Sequence, residues 1–490
     1  SRGAGEQGRN NHHSFSSPCA PVPSCKNDLT PFLKPVPRNT KELPISLTQL
    51  EFWILAQLHP GIPVYNIPLA YRLTGLLNVT ALAQSLVEIV RRHETLRTTF
   101  AIADRQVVQK IAQQPILPFS AIDLRKLSQS KTERKALAQR LVTEEKNQPF
   151  DLEQEPLLRV KLLRLSDAEH LLIITIHHLV CDGWSVGVFL QELTKLYEAF
   201  CHGQPSPLPD LPIQYADFAN WQQQWVSRPA FVSDLNYWKQ QLSNSTLLLQ
   251  LPTVRPRLPV RTFQGASQTF IIPKSLTNAL KHLSQQHNVT LFVTLLTAFK
   301  IVLFYYTGQS DIIVGTPFAN RQQVETKELI GCFINTLPIR TYLGGDPSLR
   351  ELLYQVRGCF LAACDRQQIP FVKLVEALQP KREPSHSLLY QVMFNFLPPS
   401  DLKLTNLTVH PWSFESKTAE FDWDIYLQQT TLGSIEGKWC YKIDLFDAST
   451  ISRAVTQFLV LLELLITNPE CRLTDLSLLF QQHNSQCRAI

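Results

Sequence analysis

The sequence lacks the patterns that mark several large classes of protein. Its 490 residues contain no heptad array, no collagen period and no low-complexity body. The ten cysteines form no CxxC pair and no dense framework, which favours reduced thiols in the cytoplasm over a disulfide scaffold. Only CAPVPSC, preceded by His12 and His13, has metal-ligand residue types, and its spacing does not match a zinc site. We therefore expect no metal centre.

An excess of charge of either sign is also missing. The chain has 47 Lys and Arg residues against 41 Asp and Glu residues, which gives a formal net charge of +6. The basic residues are scattered, and no basic run is interleaved with stacking aromatic residues, so nucleic-acid binding is not expected. A weakly basic surface favours an acidic protein partner instead.

Signals for membrane insertion are weak. The first 45 residues contain no apolar core of the length that a signal peptide needs. One stretch, Val289 to Gly308, is apolar enough to pass for a membrane span. Lys300 lies at its middle, where a lysine would cost ~2.5 kcal/mol or more in a bilayer, and Asn288 and Thr290 stand at its start as capping candidates. The stretch therefore predicts a buried helix, and no membrane partner is expected.

The length of the chain predicts two lobes, because one ordinary core does not grow to this size. Helix and strand periodicities alternate in both halves, which indicates a mixed α/β fold. A proline-rich stretch around a short aromatic helical region separates the halves. The predicted organisation is a disordered leader or linker over 1–44, a first lobe over 45–215, an inter-lobe connection over 216–265, a second lobe over 266–480 and a tail over 481–490.

Two adjacent histidines stand in the segment IHHLVCDGWS, residues 176–185, between a buried strand pattern and a helix pattern. Neighbouring side chains of a strand face opposite sides, so His177 and His178 are not expected to bind one metal together. With His178 turned outward, its imidazole can accept or position a proton at neutral pH, and His177 packs inward. Asp182 either caps the helix or pairs with a buried arginine. Gly183 gives the turn its backbone freedom.

The segment HHLVCDGWS resembles the HHxxxDG signature of the condensation domains of nonribosomal peptide synthetases, which are relatives of chloramphenicol acetyltransferase. Further segments are similar to motifs of that family and occur in the family's order: SLTQLEFWILAQLHPGIPVYNIP, RRHETLRTTF, YADFANWQ, IGCFINTLPIR, QQIPFVKLVE and KREPSHSLLYQVMFNF. The resemblance covers residues 46–480, nearly the whole folded part of the chain.

This resemblance implies a fold and an activity. The family has two chloramphenicol acetyltransferase-like lobes in a V with a central tunnel. Donor and acceptor peptidyl carrier proteins present phosphopantetheine thioesters at opposite mouths, and the acceptor amine attacks the donor thioester to form a peptide bond. We therefore expect a cytoplasmic, monomeric module that binds no cofactor directly and meets phosphopantetheine only on its carrier partners. The ending LTDLSLLF is similar to the segment before an adenylation domain, which is the expected neighbour.

The resemblance also implies roles for residues of the site. His178 corresponds to the catalytic histidine beside the attacking amine, and whether it removes a proton or orients the amine stays open. The amide of Gly183, near a helix N-terminus, is the expected oxyanion donor. Asp182 corresponds to the structural acid, with Arg321 as its first expected partner and Arg340 as its second.

Other motif positions are expected to support the site or to approach its channel. The structural set is His177, Arg92, Arg97, Trp221, Asn335, Pro370 and Phe371. Asn335 is the member most expected to approach the channel, and Trp184 and Ser185 are the other channel candidates.

Three positions depart from the family's pattern. Glu51 stands where the opening motif has an arginine, and Arg366 stands where the sixth motif has a histidine. Cys181 occupies a place of small or aliphatic residues, and we do not expect it to act as a nucleophile. The HHxxxDG sequence excludes the cyclisation branch, and DGWS resembles the branch that joins two L residues or a starter domain that uses a fatty acid.

Two other functions are open from the sequence. The chain could be a free-standing acyltransferase of the same superfamily that acts on oxygen or nitrogen and uses CoA or a carrier. It could also be a non-catalytic remnant or recruitment domain. The presence of His178, Asp182 and Gly183 counts against the second of these alternatives.

Overall fold

Two packed lobes make up the part of the chain that the computed structural model describes, which is residues 33–38, 42–245, 248–380, 385–397, 399, 401–414 and 417–476. The helices are α1 (Leu47–Leu58), α2 (Val79–Arg92), α3 (Lys131–Asn147), α4 (Gly183–Cys201), α5 (Tyr215–Trp225), α6 (Pro229–Leu242), α7 (Lys274–Gln286), α8 (Leu291–Thr307), α9 (Leu349–Cys364), α10 (Phe371–Leu378) and α11 (Ala448–Thr467). The strands are β1 (Leu43–Pro44), β2 (Asn66–Gly75), β3 (Thr98–Ala103), β4 (Gln106–Ile111), β5 (Phe119–Asp123), β6 (Leu158–Ser166), β7 (Glu169–His177), β8 (Gly265–Ile272), β9 (Asp311–Phe318), β10 (Asn335–Tyr342), β11 (Val392–Leu397), β12 (Leu407–Pro411), β13 (Trp423–Gln429) and β14 (Ile435–Lys442). The mixed α/β fold class predicted from the sequence is confirmed.

The first lobe is built on a five-stranded sheet in the order β12–β2–β7–β6–β5. Strand β7 lies between β2 and β6 and is antiparallel to both. Its Leu172, Ile174 and Ile176 pack with α2 and α4, and its Leu171 and Ile173 pack with α3 on the opposite face. Burial on both faces explains the nearly continuous apolar run that precedes the two histidines. It also fixes the strand end from which they project.

The second lobe is built on a six-stranded sheet in the order β10–β9–β11–β13–β14–β8. Strand β11 runs parallel to β9 and β13, and the other neighbours are antiparallel. Trp423 and Trp439 from β13 and β14 are fully buried and pack edge to face, with ring centroids 5.2 Å apart. Trp439 also contacts Phe299 of α8 and Phe458 of α11. These aromatic contacts join the sheet to the helices that cover it.

Two segments cross the predicted lobe boundaries. Strand β12 lies within the predicted second lobe, yet it pairs antiparallel with β2 in the first sheet. Helices α5 and α6 occupy about half of the predicted connection, and their Trp225, Phe231 and Trp238 side chains belong to the core of the second lobe. The two lobes are therefore tied together by an exchanged strand as well as by the connection.

Part of the predicted leader is ordered. Leu43 and Pro44 form β1, which pairs antiparallel with β4, and Leu43 is buried. The Val36 N–H donates to Asp217 Oδ1 at 2.8 Å, and Arg38 pairs with the same carboxylate. The expectation of disorder over 1–44 does not hold for these residues, because burial and ion pairing fix them to the folded chain. The segment CAPVPSC and the predicted tail 481–490 lie outside the described residues.

Among the described residues, α11 is long and apolar enough to cross a membrane, and the pair α7 and α8, bent by 104°, passes the same test when taken together. Helix α8 lies within the stretch Val289 to Gly308 that the sequence predicts as a buried helix. Twelve of its residues are buried, and it forms part of the core of the second lobe. The apolar face of α11 packs in the same core.

Lys300 is fully buried near the middle of α8. Its Nζ donates to the backbone oxygens of Ile339 at 2.6 Å and Ile312 at 3.3 Å, on the neighbouring strands β10 and β9. Burial lowers the pKa of Lys300 to about 7, against weaker opposing effects of Cys359 and Asp311. Lys300, whose charge was the reason for predicting a buried helix instead of a membrane span, therefore donates hydrogen bonds to carbonyl groups inside the second lobe.

We expect the Lys300→Met variant to lose a pH dependence of stability that the wild type has. The unfolded chain, with a lysine pKa near ~10.4, binds more protons than the folded protein between pH 7 and that value. Lys300 therefore contributes a rise with pH to the free energy of unfolding of the wild type in this window, of about 2 kcal/mol from pH 7 to pH 9. Urea unfolding of both proteins at the two pH values measures the difference. Equal changes in the two proteins would contradict the assignment.

Candidate active site

His177 ends strand β7 and turns inward. Its Nδ1 accepts a hydrogen bond from the Leu179 N–H at 3.1 Å, which starts the short 3-10 turn of residues 178–180. Its ring makes T-shaped contacts with the Phe150 and Tyr65 rings, at centroid distances of 5.9 and 6.5 Å. Burial, with repulsion from His178, lowers the pKa of His177 to about 3. The side chain is thus a neutral packing group, as a structural residue would be.

His178 begins the same turn and is partly exposed. Its ring stacks on Phe52 of α1, with centroids 4.7 Å apart and an interplanar angle of 16°. Its Nδ1 lies 3.8 Å from the sulfur of Cys332. Burial lowers the pKa of His178, and the negative charge of Asp182 opposes this shift. A neutral imidazole with a free lone pair is therefore present at neutral pH.

Asp182 caps helix α4 and joins the two lobes. Its Oδ1 accepts from the Ser185 N–H at 2.8 Å and from Arg321 Nη2 at 3.1 Å. Its Oδ2 accepts from the N–H groups of Phe333 and Ile334 at 2.9 and 3.2 Å. The sequence left helix capping and arginine pairing as alternatives for this acid, and the structure has both. The carboxylate thereby fastens a segment of the second lobe to the turn that carries His178.

Arg321 is buried and makes more contacts than its pair with Asp182. Its Nη1 donates to the carbonyl oxygens of Leu329 and Thr326, and its Nη2 also donates to Ser185 Oγ at 2.6 Å. Its guanidinium carbon lies 4.1 Å from the centre of the Phe333 ring. Burial lowers the pKa of Arg321, and Asp182 opposes this shift. The charge pair is therefore enclosed, and both carboxylate oxygens of Asp182 are hydrogen-bonded, whereas Arg321 Nε has no hydrogen-bond partner among the described residues.

Arg340, the second expected partner of Asp182, lies elsewhere. It forms a bidentate pair with Asp311 across β10 and β9, with distances of 2.8 and 2.9 Å. Its remaining donor contacts the carbonyl groups of Gln241 and Ser243 at the end of α6. Arg340 therefore fixes the edge of the second sheet and does not reach the histidine turn.

Gly183 is exposed at the first position of α4. The N–H groups of a first helical turn have no acceptor within the helix, and the Asp182 cap engages the Ser185 N–H rather than that of Gly183. A Cβ at Gly183 would come within 3.8 Å of Leu397 Cδ2. The adjacent Trp184 is partly exposed and donates from Nε1 to the Lys327 carbonyl at 2.9 Å. Gly183 thus stands exposed at the N-terminus of α4, which begins shortly after the turn that carries His178.

Two expected channel residues are buried and hydrogen-bonded within the protein. The Ser185 hydroxyl contacts the Gly331 carbonyl at 2.8 Å and the Gly331 N–H at 3.0 Å, in addition to Arg321. The Asn335 amide donates to the carbonyl groups of Gln367 and Ile369 and accepts from the Phe371 N–H. This placement differs from the channel role expected from the sequence, because the polar atoms of both side chains are engaged by backbone.

Arg92 and Arg97 lie in the first lobe, away from the turn. Arg92 forms a buried bidentate pair with Glu192 of α4 at 3.0 and 3.2 Å. The neighbouring His93 bridges Glu192 to the Ile330 N–H, at 3.0 and 3.2 Å. Arg97 donates to a backbone carbonyl and lies 3.9 Å from a glutamate of its own turn. These contacts fix the end of α2 against α4 and against the segment that leads to Cys332.

A cavity of about 1020 Å³ opens between the lobes. Its walls come from the start of β2, the end of α3, and strands β8, β13 and β14. Leu397, whose Cδ2 would lie 3.8 Å from a Cβ placed on Gly183, is one of its lining residues. The lining also includes Pro63, Val64, Asn66, Pro68, Lys146, Thr269, Phe270, Ile271, Phe414, Thr418, Ala419, Glu420, Asp424, Tyr426, Gln428, Glu436, Gly437, Lys438 and Cys440. The cavity thus lies at the lobe junction, and its lining residue Leu397 also approaches the start of α4.

Carboxyl groups with altered acidity lie along and beside this cavity. Burial raises the pKa of Asp424 to about 7, although its oxygens accept hydrogen bonds from Tyr426 and Asn395, both at 2.7 Å. Burial and then repulsion from Glu420 raise the pKa of Glu51 to about 8. Glu51, which replaces the arginine of the family motif, is therefore largely protonated at neutral pH.

Several site residues were not singled out from the sequence. Phe52 and Cys332 belong to recognised motif segments, but only their contacts with His178 reveal them. Cys181 was not expected to act as a nucleophile. It is fully buried, and burial raises the pKa of its thiol well above the ordinary value. Within the described ranges, no group of three or more His, Cys, Asp or Glu side chains could hold a metal ion.

The two-lobed mixed α/β fold, with a histidine turn where the lobes meet, defines a chloramphenicol acetyltransferase-like class of protein. The chain belongs to the Condensation domain family, whose family model matches residues 39–487. The family resemblance drawn from the sequence motifs is confirmed.

Curated relatives and solved structures agree with this membership. The chain is 41% identical over 455 residues to a polypeptide of the linear gramicidin synthase of Brevibacillus parabrevis, covering 92% of this chain and 6% of that protein. It is 42% identical over 440 residues to malpinin synthetase of Mortierella alpina, covering 89% and 6%. The chain therefore spans a small part of the length of these relatives. The X-domain from teicoplanin biosynthesis has a similar structure, with a TM-score of 0.81, 25% identity and coverage of 91% of this chain and 99% of that one.

Proposed function

We propose that this chain catalyses amide-bond formation between a donor acyl or peptidyl thioester and the amine of an acceptor aminoacyl thioester, both carried on phosphopantetheine arms of carrier proteins. Membership of the Condensation domain family supports the reaction class. The observation that carries the proposal is that His178, a partly exposed residue with a lowered pKa, and Gly183, exposed at the N-terminus of α4, lie close in sequence on the segment where the lobes meet.

The chemistry requires that two reactants meet and that charge be stabilised. The acceptor amine attacks the donor carbonyl carbon, a C–N bond forms, and the carbonyl oxygen becomes an oxyanion. The C–S bond then breaks, the donor arm leaves as a thiol, and the nitrogen loses its proton. The Gly183 N–H, at the positive end of α4, is the proposed donor to the oxyanion.

His178 acts in this scheme on the amine. Because burial lowers its pKa, the imidazole is present as an acceptor, and a stored imidazolium is disfavoured. This favours orientation of the amine and stabilisation of its developing positive charge over long-lived proton storage. Alignment of two bound reactants can supply up to about 7–11 kcal/mol of the barrier, which fits a reaction between an amine and an already activated thioester.

The other roles in the proposal are structural. Asp182 and Arg321 hold the turn and the segment of the second lobe together. His177, Arg92, Arg97 and Arg340 stabilise the lobes around it through the contacts described above. Trp184 is placed beside the exposed end of α4, where a channel would pass.

The proposed partners are a donor and an acceptor peptidyl carrier protein and an adjoining adenylation domain, within a cytoplasmic, monomeric module. The curated relatives are many times longer than this chain, as multidomain synthetases are. Substrates arrive on the carriers' phosphopantetheine arms, and the chain itself binds no cofactor, metal, nucleic acid or membrane in this proposal. The formal net charge of +6 suits acidic carrier partners.

Intact mass spectrometry of the acceptor carrier tests the proposal. Donor carriers loaded with L-phenylalanyl, L-leucyl or octanoyl thioesters are mixed with an acceptor carrier loaded with L-leucine and with this chain. We expect the mass of the acceptor carrier to rise by the donor acyl group for at least one donor, and to stay unchanged without the chain. Transfer from free CoA thioesters to a soluble alcohol instead would indicate the free-standing acyltransferase. No transfer from any donor to any acceptor would indicate the non-catalytic domain.

A further inference from the structure

The sulfur of Cys332 lies at the Nδ1 edge of His178. The two atoms lie 3.8 Å apart, although their residues are 154 positions apart in the chain. Phe52 covers one face of the same imidazole. Cys332 is fully buried, and burial raises the pKa of its thiol well above the ordinary value. The sulfur therefore meets the imidazole as a neutral thiol, not as a thiolate.

The backbone around Cys332 is fixed on both sides and at its own carbonyl. The Tyr215 hydroxyl donates to the Cys332 oxygen at 2.6 Å. Ser185 holds both backbone groups of Gly331, and Asp182 accepts from the N–H groups of the two residues that follow Cys332. The position of the sulfur is therefore set by the same carboxylate that caps α4. A side chain held in this way can fix the orientation of its neighbour.

The protonation of the imidazole limits what this contact can do. His178 is neutral at neutral pH, so one ring nitrogen carries a proton and the other has a lone pair. An interaction of the ring with its own backbone opposes the fall in the pKa of His178, and a proton on Nδ1 leaves the lone pair on Nε2. A thiol sulfur beside Nδ1 is a weak acceptor for that proton.

We propose that Cys332 is a positioning residue for His178: its sulfur holds the Nδ1 edge of the ring, so that Nε2 presents its lone pair to the reacting amine. The proposal rests on the proposed function for the identity of the amine. It adds a link from Asp182 to His178 that passes through the second lobe, by way of the Phe333 and Ile334 amides and the Cys332 side chain.

Four variants of the full chain test this role. Cys332→Ser keeps a small polar atom beside Nδ1, Cys332→Ala removes it, and Cys332→Val fills the space without an acceptor. Cys471→Ala removes the sulfur of another buried cysteine, one whose recorded sulfur contact is to the Arg472 carbonyl, and serves as the matched control. The measurements are kcat and acceptor KM for coupling, and the imidazole nitrogen shifts of His178 in protein labelled with ¹⁵N-histidine, assigned by their loss in His178→Gln.

We expect the wild type to carry its proton on Nδ1. The Ala and Val variants should show mixed tautomers and a kcat lower by about tenfold or more, with the acceptor KM within about twofold. The Ser variant and the control should stay within about threefold of the wild type. A wild-type proton on Nε2, or a Val variant equal to Ser in both measurements, would overturn the proposal. If the wild type couples no substrate, the proposed function fails, and the nitrogen shifts still decide the role of Cys332.

Discussion

His178→Ala should lower the rate of coupling by about a hundredfold or more, while the free energy of unfolding changes by less than about 1 kcal/mol. The ring is partly exposed and its recorded contacts are a stack on Phe52 and a sulfur contact, so its removal leaves no buried partner of opposite charge. The reaction loses the group that faces the amine. Single-turnover coupling by intact mass and urea unfolding measure the two quantities.

His177→Ala is the matched comparison for this prediction. His177 is buried and neutral and holds the Leu179 N–H, so its loss should reduce stability by about 1–3 kcal/mol through the unsatisfied donor. The rate of coupling by His177→Ala should fall only as far as the fraction of folded protein falls. If His178→Ala couples at the wild-type rate, His178 is not the catalytic group, whatever the His177 variant does.

Asp182→Ala should destabilise the protein by about 3–5 kcal/mol and abolish coupling. The substitution removes an acceptor of four hydrogen bonds and leaves Arg321 as a buried cation without its carboxylate. Phe333 and Ile334 then lose their hydrogen bonds to the first lobe, which weakens the hold on Cys332 beside His178. Denaturant unfolding and coupling assays are the measurements.

A surface ion pair provides the control for that loss. Arg140 and Glu144 are both largely exposed and pair at 3.3 Å within α3, so Arg140→Ala should change stability by no more than about 0.5 kcal/mol. Asp182→Asn removes the negative charge and keeps the size of the side chain, so it separates the effect of the charge from the effect of the shape. An Asp182→Ala protein as stable as the wild type would show that the enclosed pair does not hold the lobes together.

The histidine turn could be predicted because its signals are local. An apolar run buried on both faces, an acid at a helix start and a glycine after it fix the strand, the cap and the turn within a few residues. The pairing of Asp182 with Arg321 came from family resemblance, because no local pattern joins residues 139 positions apart. The length of the chain predicted two lobes, and the family resemblance supplied their chloramphenicol acetyltransferase-like fold.

Contacts between distant segments could not be predicted in this way. Ser185 and Asn335 are polar residues in motif positions, and only the structure shows that backbone groups of the second half already occupy their hydrogen-bonding atoms. The short β12 has mostly exposed or half-buried residues, so its sequence does not indicate that it pairs with β2. The contact of Cys332 with His178 depends on the same long-range packing.

The most direct test of the catalytic role of His178 is the structure of this chain with an acceptor mimic, an L-leucyl-pantetheine in which an amide replaces the thioester. The amine nitrogen of the mimic is predicted to lie about 3 Å from His178 Nε2, with the pantetheine arm running between the lobes. An amine bound away from the turn, or a His178 ring that turns Nε2 toward the protein interior, would contradict the assignment of this site.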